Sequence, residues 1–163
     1  KESYRELGET VPQFALYNQN GDVVSPNQFR GQRVVLNFIY TRCPIATMCP
    51  ASTLRMMALQ QAAKAKGVTK LQLVSITLDP TYDTPSVLKD YARVRGIDTS
   101  NFTFLTGPEP AVRDLLQQFG VIVQPADNLV KHTLSTLLID EQGKIVHRVD
   151  GSSWSPDEFL KLL

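Results

Sequence analysis

A mixed α/β fold built as one domain is what this sequence predicts, and three observations carry the prediction. Two continuous apolar runs, Val34 to Tyr40 and Leu71 to Leu78, have the length and β-branched character of central strands covered on both faces. Each is followed by a segment with helical spacing and helix-end signals, which makes a βαβ unit. The remaining chain adds hairpin and strand–helix pieces with no repeat, low-complexity tract or linker. At 163 residues, 42% apolar and 20% charged, residues 1–163 read as a single domain. A chain of this length buries roughly two thirds of its unfolded surface.

Gln13 to Tyr17 and Val23-Val24 flank Asn18-Gln19-Asn20-Gly21-Asp22, a turn-rich stretch that predicts an N-terminal β-hairpin. Arg30-Gly31-Gln32 then turns into the first central strand. A helix is predicted from near Pro50, because proline suits a first turn, as far as Gly67. Leu54, Met57, Ala58, Gln61 and Ala62 recur at helical spacing along it, and Lys64 and Lys66 suit its C-terminus. After the second strand, Asp79 to Pro85 leads into a helix with Thr84 as N-cap, Val87, Leu88, Tyr91 and Val94 as its apolar face, and Gly96 as its stop. Phe102 to Leu105 reads as a short strand and Pro108 to Phe119 as a helix ended by Gly120. Thr133 to Asp140 and Lys144 to Val149 form a hairpin around Asp140-Glu141-Gln142-Gly143. Ser155-Pro156-Asp157-Glu158 caps a last helix running through Leu163. This order is that of a thioredoxin-like fold: a mixed central sheet, an N-terminal β-hairpin and flanking helices, one of them inserted.

Composition excludes several function classes. The 17 basic residues against 16 acidic leave no bulk attraction to nucleic acid or anionic lipid. No apolar run is long enough to span a membrane, and Lys1 to Thr10 does not resemble a signal peptide. A start at Lys1 leaves room for a leader or anchor removed upstream. Rossmann and P-loop glycine patterns and a serine nucleophile elbow are absent, so nucleotide chemistry and serine hydrolysis have no support.

The chemistry concentrates in the two cysteines, Cys43 and Cys49, directly after the strand that ends at Tyr40. A thiolate is both nucleophile and soft metal ligand. In open α/β sheets sites lie beyond the carboxyl ends of strands, which places the cysteine pair beside Asp79, after the strand at 71 to 78. His132 precedes the strand at 134 to 140. If that strand runs antiparallel in the mixed sheet, its amino end lies on the same side. Two thiolates and one imidazole form a soft, low-coordinate set that favours copper over zinc, although Cys2His with an open position also describes one class of catalytic zinc site. Without a metal the same pair is a redox dithiol or a structural disulfide. Arg42 is positioned to lower the pKa of Cys43 and Met48 is a soft side chain next to Cys49. His147 and Arg148, on an expected edge strand, read as exposed residues, and Asp83 and Thr84 as the start of a helix.

The segments Phe38-Ile39-Tyr40-Thr41-Arg42-Cys43-Pro44 through Cys49-Pro50, Ile76 to Ala92 and Lys131-His132-Thr133 together resemble the Sco/SenC family of copper-binding thioredoxin-fold proteins. The resemblance runs over most of the chain from Gly8. It implies a membrane-tethered domain outside the bacterial cytoplasm, in the periplasm, or in the mitochondrial intermembrane space. It implies a metallochaperone-like role in assembling the binuclear copper site of cytochrome c oxidase, with a copper donor protein and the oxidase subunit as partners. Cys43 and Cys49 match the family's cysteine ligands, His132 its histidine ligand and Asp79 an acidic residue beside the metal. The family's usual motif has three residues between its cysteines; here five intervene, Pro44 to Met48. Helix positions six apart climb roughly 9 Å and face different ways, whereas a disulfide needs Cα atoms within about 7 Å. The segment must therefore bow outward for the pair to bridge or chelate, with the helix starting near Pro50. The competing expectation is a thiol-disulfide oxidoreductase acting on partner cysteines or served by a thiol reductant, although the C-x-x-C pattern is missing. A peroxidase reading is weaker, since Thr41 lies two rather than three residues before Cys43.

Overall fold

The computed structural model describes residues 4–43, 49–121, 134–151 and 153–163, together with the backbone of strands at Val123–Ala126 and Leu129–His132. A seven-stranded mixed sheet forms the centre. Its strands are β1 (Leu16–Asn18), β2 (Val23–Val24), β3 (Arg33–Ile39), β4 (Leu71–Thr77), β5 (Phe102–Thr106), β8 (Ser135–Ile139) and β9 (Ile145–Asp150), in the spatial order β2-β1-β5-β4-β3-β8-β9. The helices are α1 (Cys49–Ala65), α2 (Pro85–Val94), α3 (Glu109–Gln118) and α4 (Pro156–Leu160). β6 (Val123–Ala126) and β7 (Leu129–His132) form a separate two-stranded antiparallel sheet. The fold is the thioredoxin-like α/β fold that the sequence predicts.

The central strands behave as their apolar runs require. β3 pairs in parallel with β4 and antiparallel with β8, and β4 pairs in parallel with β5. Val35, Phe38, Ile39, Leu73 and Ile76 are fully buried, because helices cover both faces. The predicted N-terminal hairpin is β1–β2, and β1 also joins the sheet edge beside β5. Its turn is held by Asn18, whose Oδ1 accepts from the N–H groups of Asn20 and Asp22, both at 2.9 Å. Thr84 caps α2 as expected, its Oγ1 accepting from the Val87 N–H.

Two expected helix faces need correction. On α1 the buried residues are Cys49, Ser52, Thr53, Met56, Leu59, Gln60 and Ala63, whereas Leu54 is 64% exposed. The buried stripe is about one position out of step with the expected one because three polar residues lie inside, each with a partner. Asn37 Nδ2 donates to Ser52 Oγ at 2.9 Å, Thr53 Oγ1 and the Tyr91 hydroxyl share a bond of 2.9 Å, and Gln60 Nε2 donates to Asp98 O and Asn101 Oδ1. Hydrogen bonds remove the burial penalty that makes polar residues read as surface. On α2, Leu88, Tyr91 and Ala92 face inward while Val94 is exposed.

β6 and β7 have no counterpart among the elements that the sequence predicts. Both strands are short, and Pro125 lies in β6 opposite Val130, where proline ordinarily argues against a strand. Among the described residues no helix is long and apolar enough to cross a membrane.

Asn37 is the hub of the buried polar contacts, since its Oδ1 also accepts from Ser75 Oγ on β4. Asn37→Ala is expected to cost about 2 kcal/mol, because it strands two buried hydroxyls. Urea unfolding with an unchanged slope measures this; a loss below about 0.5 kcal/mol would show that these hydroxyls find other partners.

Candidate metal and thiol site

The site grows from the end of the central sheet. Past Ile39 the β3–β4 ladder continues by one bond, Leu78 N–H to Ile39 O at 2.7 Å, and a turn then brings the Cys43 N–H to Tyr40 O at 3.2 Å. Cys49 is the first residue of α1 and Pro50 follows it, close to the expected start; Pro44 to Met48, including Met48, lie outside the described residues. The two thiols are not joined in a disulfide; they are neighbours, close enough for the Cys43 side chain to act on Cys49. Cys43 is partly buried and Cys49 fully buried. Burial pushes the Cys49 thiol well above the ordinary thiol range, the neighbouring Cys43 sulfur adds to the effect, and a hydrogen bond from the Tyr40 backbone opposes it.

The arm leading to Cys43 is fastened to β4 by a carboxylate. Asp83 is wholly buried and accepts from the Thr41 N–H at 3.1 Å, from the Thr41 hydroxyl and from Thr77 Oγ1 at 2.7 Å. Thr77 Oγ1 in turn accepts from the Asp79 N–H at 2.9 Å. Burial holds the Asp83 pKa above its usual 3.8, although the bonds from Thr41 and Thr77 pull it down. Sequence reasoning missed this residue, placing it only at the start of a helix; its position just before the N-cap Thr84 masked its reach across to Thr41.

Asp79 lies at the same end of the sheet, where its Oδ2 accepts from Arg42 Nη2 at 3.0 Å and Nε at 3.3 Å. The Arg42 guanidinium also covers the Tyr82 ring at 4.0 Å from its centroid. Arg42 thus spends its charge on Asp79, a partner that the expectation of a cysteine-activating arginine did not include. His132 ends β7, three residues before β8 begins, and β8 runs antiparallel to β3 with Thr136 opposite Asn37. Its backbone therefore stands at the edge where β3 and β4 end. Its side chain lies outside the described residues, and among the described residues no three of His, Cys, Asp and Glu cluster as metal ligands. His147 and Arg148, expected to be merely exposed, both have partners: His147 Nε2 lies 3.1 Å from Glu158 Oε2 and meets the Phe159 ring edge-on, and Arg148 bonds to several groups at the base of β8.

A family model, SCO1/SenC, matches residues 2–163. The chain belongs to the SCO1/SenC family. Solved SCO1/SenC structures share its fold over nearly their whole length. A family lipoprotein from Bacillus anthracis is 29% identical, with a TM-score of 0.84 over 98% of this chain and 96% of the other. BsSco, a member of the Sco family of cytochrome c oxidase assembly proteins in which a disulfide switch was identified, is 27% identical, with a TM-score of 0.82 over 98% and 94%. Bradyrhizobium japonicum ScoI, solved with copper bound, is 26% identical, with a TM-score of 0.78 over 96% and 99%.

Two outcomes follow from this geometry. Iodoacetamide at mildly alkaline pH is expected to label Cys43 well before Cys49, read by peptide mass spectrometry; equal rates would mean that Cys49 is not shielded. For Asp83, a carboxylate whose pKa is higher folded than unfolded contributes most at acid pH, and that contribution falls as pH rises through the folded pKa. The stability advantage of the protein over Asp83→Asn in urea unfolding is therefore expected to be largest at acid pH and to shrink as pH rises above the usual carboxylate pKa. An advantage that grew with pH would mean that the site favours the ionised form.

Proposed function

We propose that this chain is a copper-handling protein whose metal binding is gated by the redox state of Cys43 and Cys49, serving assembly of the binuclear copper site of cytochrome c oxidase. The observation that carries this reading is the nearness of two unjoined thiols at the sheet edge that β7 also reaches. Cys43, Cys49 and His132 would hold the copper, a soft sulfur-rich set suited to Cu(I) and able to hold Cu(II) with a nitrogen ligand. Copper is the cargo. Asp79, tied to Arg42, would stand beside the metal as an outer group. Oxidation of the pair forms one S–S bond and hands two electrons and two protons to a disulfide-bearing partner, which becomes a dithiol; this removes both sulfur ligands at once. The names of the solved relatives, one an oxidase assembly protein with a disulfide switch and one a copper complex, support the same reading. Its partners would be a copper donor protein and the oxidase subunit that receives the metal, in an extracytoplasmic compartment where a disulfide can form. The lipoprotein relative favours a membrane anchor.

The unequal burial of the two thiols favours a second reading, a thiol-disulfide oxidoreductase in which Cys43 attacks and Cys49 resolves. Titration with Cu(I) and Cu(II) separates the two. The reduced protein is expected to bind one equivalent of either ion, the disulfide form none, and Cys43→Ser, Cys49→Ser and His132→Ala each to bind more weakly. Copper binding indifferent to all three substitutions would sink the ligand assignment. A disulfide trapped between Cys43 and a partner in the Cys49→Ser variant, without copper dependence, would favour the oxidoreductase.

A further inference from the structure

β6 and β7 pair with each other and lie outside the central sheet's ladder; the chain leaves for them after α3 and rejoins the central sheet at β8. Both ends meet one side chain. Arg148, on β9 and only 16% exposed, donates from Nη1 to Phe119 O at 2.5 Å and from Nη2 to Gly120 O at 3.4 Å, where the chain leaves α3. The same Nη2 donates to Ser135 Oγ at 3.0 Å, where the chain rejoins the sheet. Asp150 sets the guanidinium's plane, accepting from Nε at 3.0 Å while Ser135 Oγ donates to the same carboxylate oxygen at 2.8 Å. The pair of bonds holds Asp150 below the usual carboxylate range although burial acts against it. Tyr4 closes the arrangement, its ring 5.6 Å from the guanidinium and so near Gly120 that a Cβ there would come within 2.6 Å of it.

We propose that Arg148 is a positioning residue for His132: a clamp that holds together the departure and return of the segment whose β7 ends in His132. The inference rests on the reading of His132 as a copper ligand. The physical reason is geometric. A guanidinium presents donors in a rigid planar fork, so one residue holds the carbonyls of Phe119 and Gly120 and the hydroxyl of Ser135 in fixed relation. A lysine ammonium at the end of a flexible stem does not reproduce that fork. With the clamp intact the two ends of the segment are held together; with it broken, closing them would add to the cost of binding metal through His132.

Hydrogen–deuterium exchange of the metal-free, reduced protein tests the clamp without copper. In Arg148→Met, the amides of β6 and β7 are expected to exchange ~10-fold faster while those of β3 and β4 keep their rates. Ser135→Ala, which removes one arm, is expected to give a smaller change of the same kind, and Arg148→Lys to resemble the methionine variant. Unchanged exchange in β6 and β7, or equal acceleration through β3 and β4, would overturn the clamp. In the copper arm, Arg148→Met is expected to weaken Cu(II) binding ~10-fold and to move its visible and EPR spectra toward those of His132→Ala. If His132→Ala weakens copper binding while Arg148→Met leaves affinity and spectra at their original values, the positioning role is wrong. If His132→Ala itself leaves copper binding intact, the ligand reading falls, and with it the role assigned to Arg148, whereas the exchange result still decides whether the clamp exists.

Discussion

The direction of β8 beside β3 is the constraint on which the site depends. β3 and β4 run in parallel, so their carboxyl ends share one edge, and the chain delivers Cys43 and Asp79 there a few residues beyond each strand. β8 runs the opposite way, and its register, Thr136 opposite Asn37, brings the start of β8 level with the end of β3. Were β8 parallel, its first residue would lie at the far edge, ~15 Å or more away, and His132 with it. One antiparallel pairing in an otherwise parallel centre therefore gathers three distant stretches of sequence at one end of the molecule.

Gathering chain ends is not the same as fixing them, and the fixing is polar. Asn37 on β3 reaches Ser52 on α1 and Ser75 on β4, so the first turn of α1 is pinned over the sheet. Ser52 is one turn beyond Cys49 on the same helix face, and the bond that seats Ser52 also seats the buried sulfur. Asp83 performs the equivalent service for the other arm, taking three donors from Thr41 and Thr77. Apolar contacts would bury these elements as well but would tolerate sliding along the sheet; hydrogen bonds with fixed partners do not. The exposed Arg42–Asp79 pair is of a different kind: at a surface where water competes, it adds little to stability and is free to change partner.

How far this was legible depended on whether a residue's role was local. Val34 to Tyr40 and Leu71 to Leu78 declare themselves as buried strands because their neighbours along the chain are apolar too, and the cysteines, Asp79 and His132 were placed at one edge from strand order alone. Thr84 with Pro85 is a helix start readable from adjacent residues. Ser52, Thr53 and Gln60 are buried only because Asn37, Tyr91, Asp98 and Asn101 meet them from elsewhere in the chain, which is why the face of α1 was misplaced. The same holds for Asp83 and Arg148, whose partners lie far off in sequence. The β6–β7 pair escaped notice for the opposite reason: its strands are too short and too mixed in character for any periodicity, and Pro125 argues against them.

The burial of Cys49 gives the proposed gating its thermodynamic shape. Both fates that the proposed function gives the pair, copper binding and disulfide formation, would require the Cys49 thiol to lose its proton, and burial together with the adjacent Cys43 sulfur makes that loss unfavourable when nothing replaces it. A copper ion compensates with its own positive charge, and a disulfide removes the charge problem by forming a neutral bond. An isolated thiolate has neither compensation. Under the proposed function the resting dithiol would be separated from both alternatives by the same proton. Because α1 begins at Cys49 itself, the thiol that must lose this proton sits on the helix's first residue.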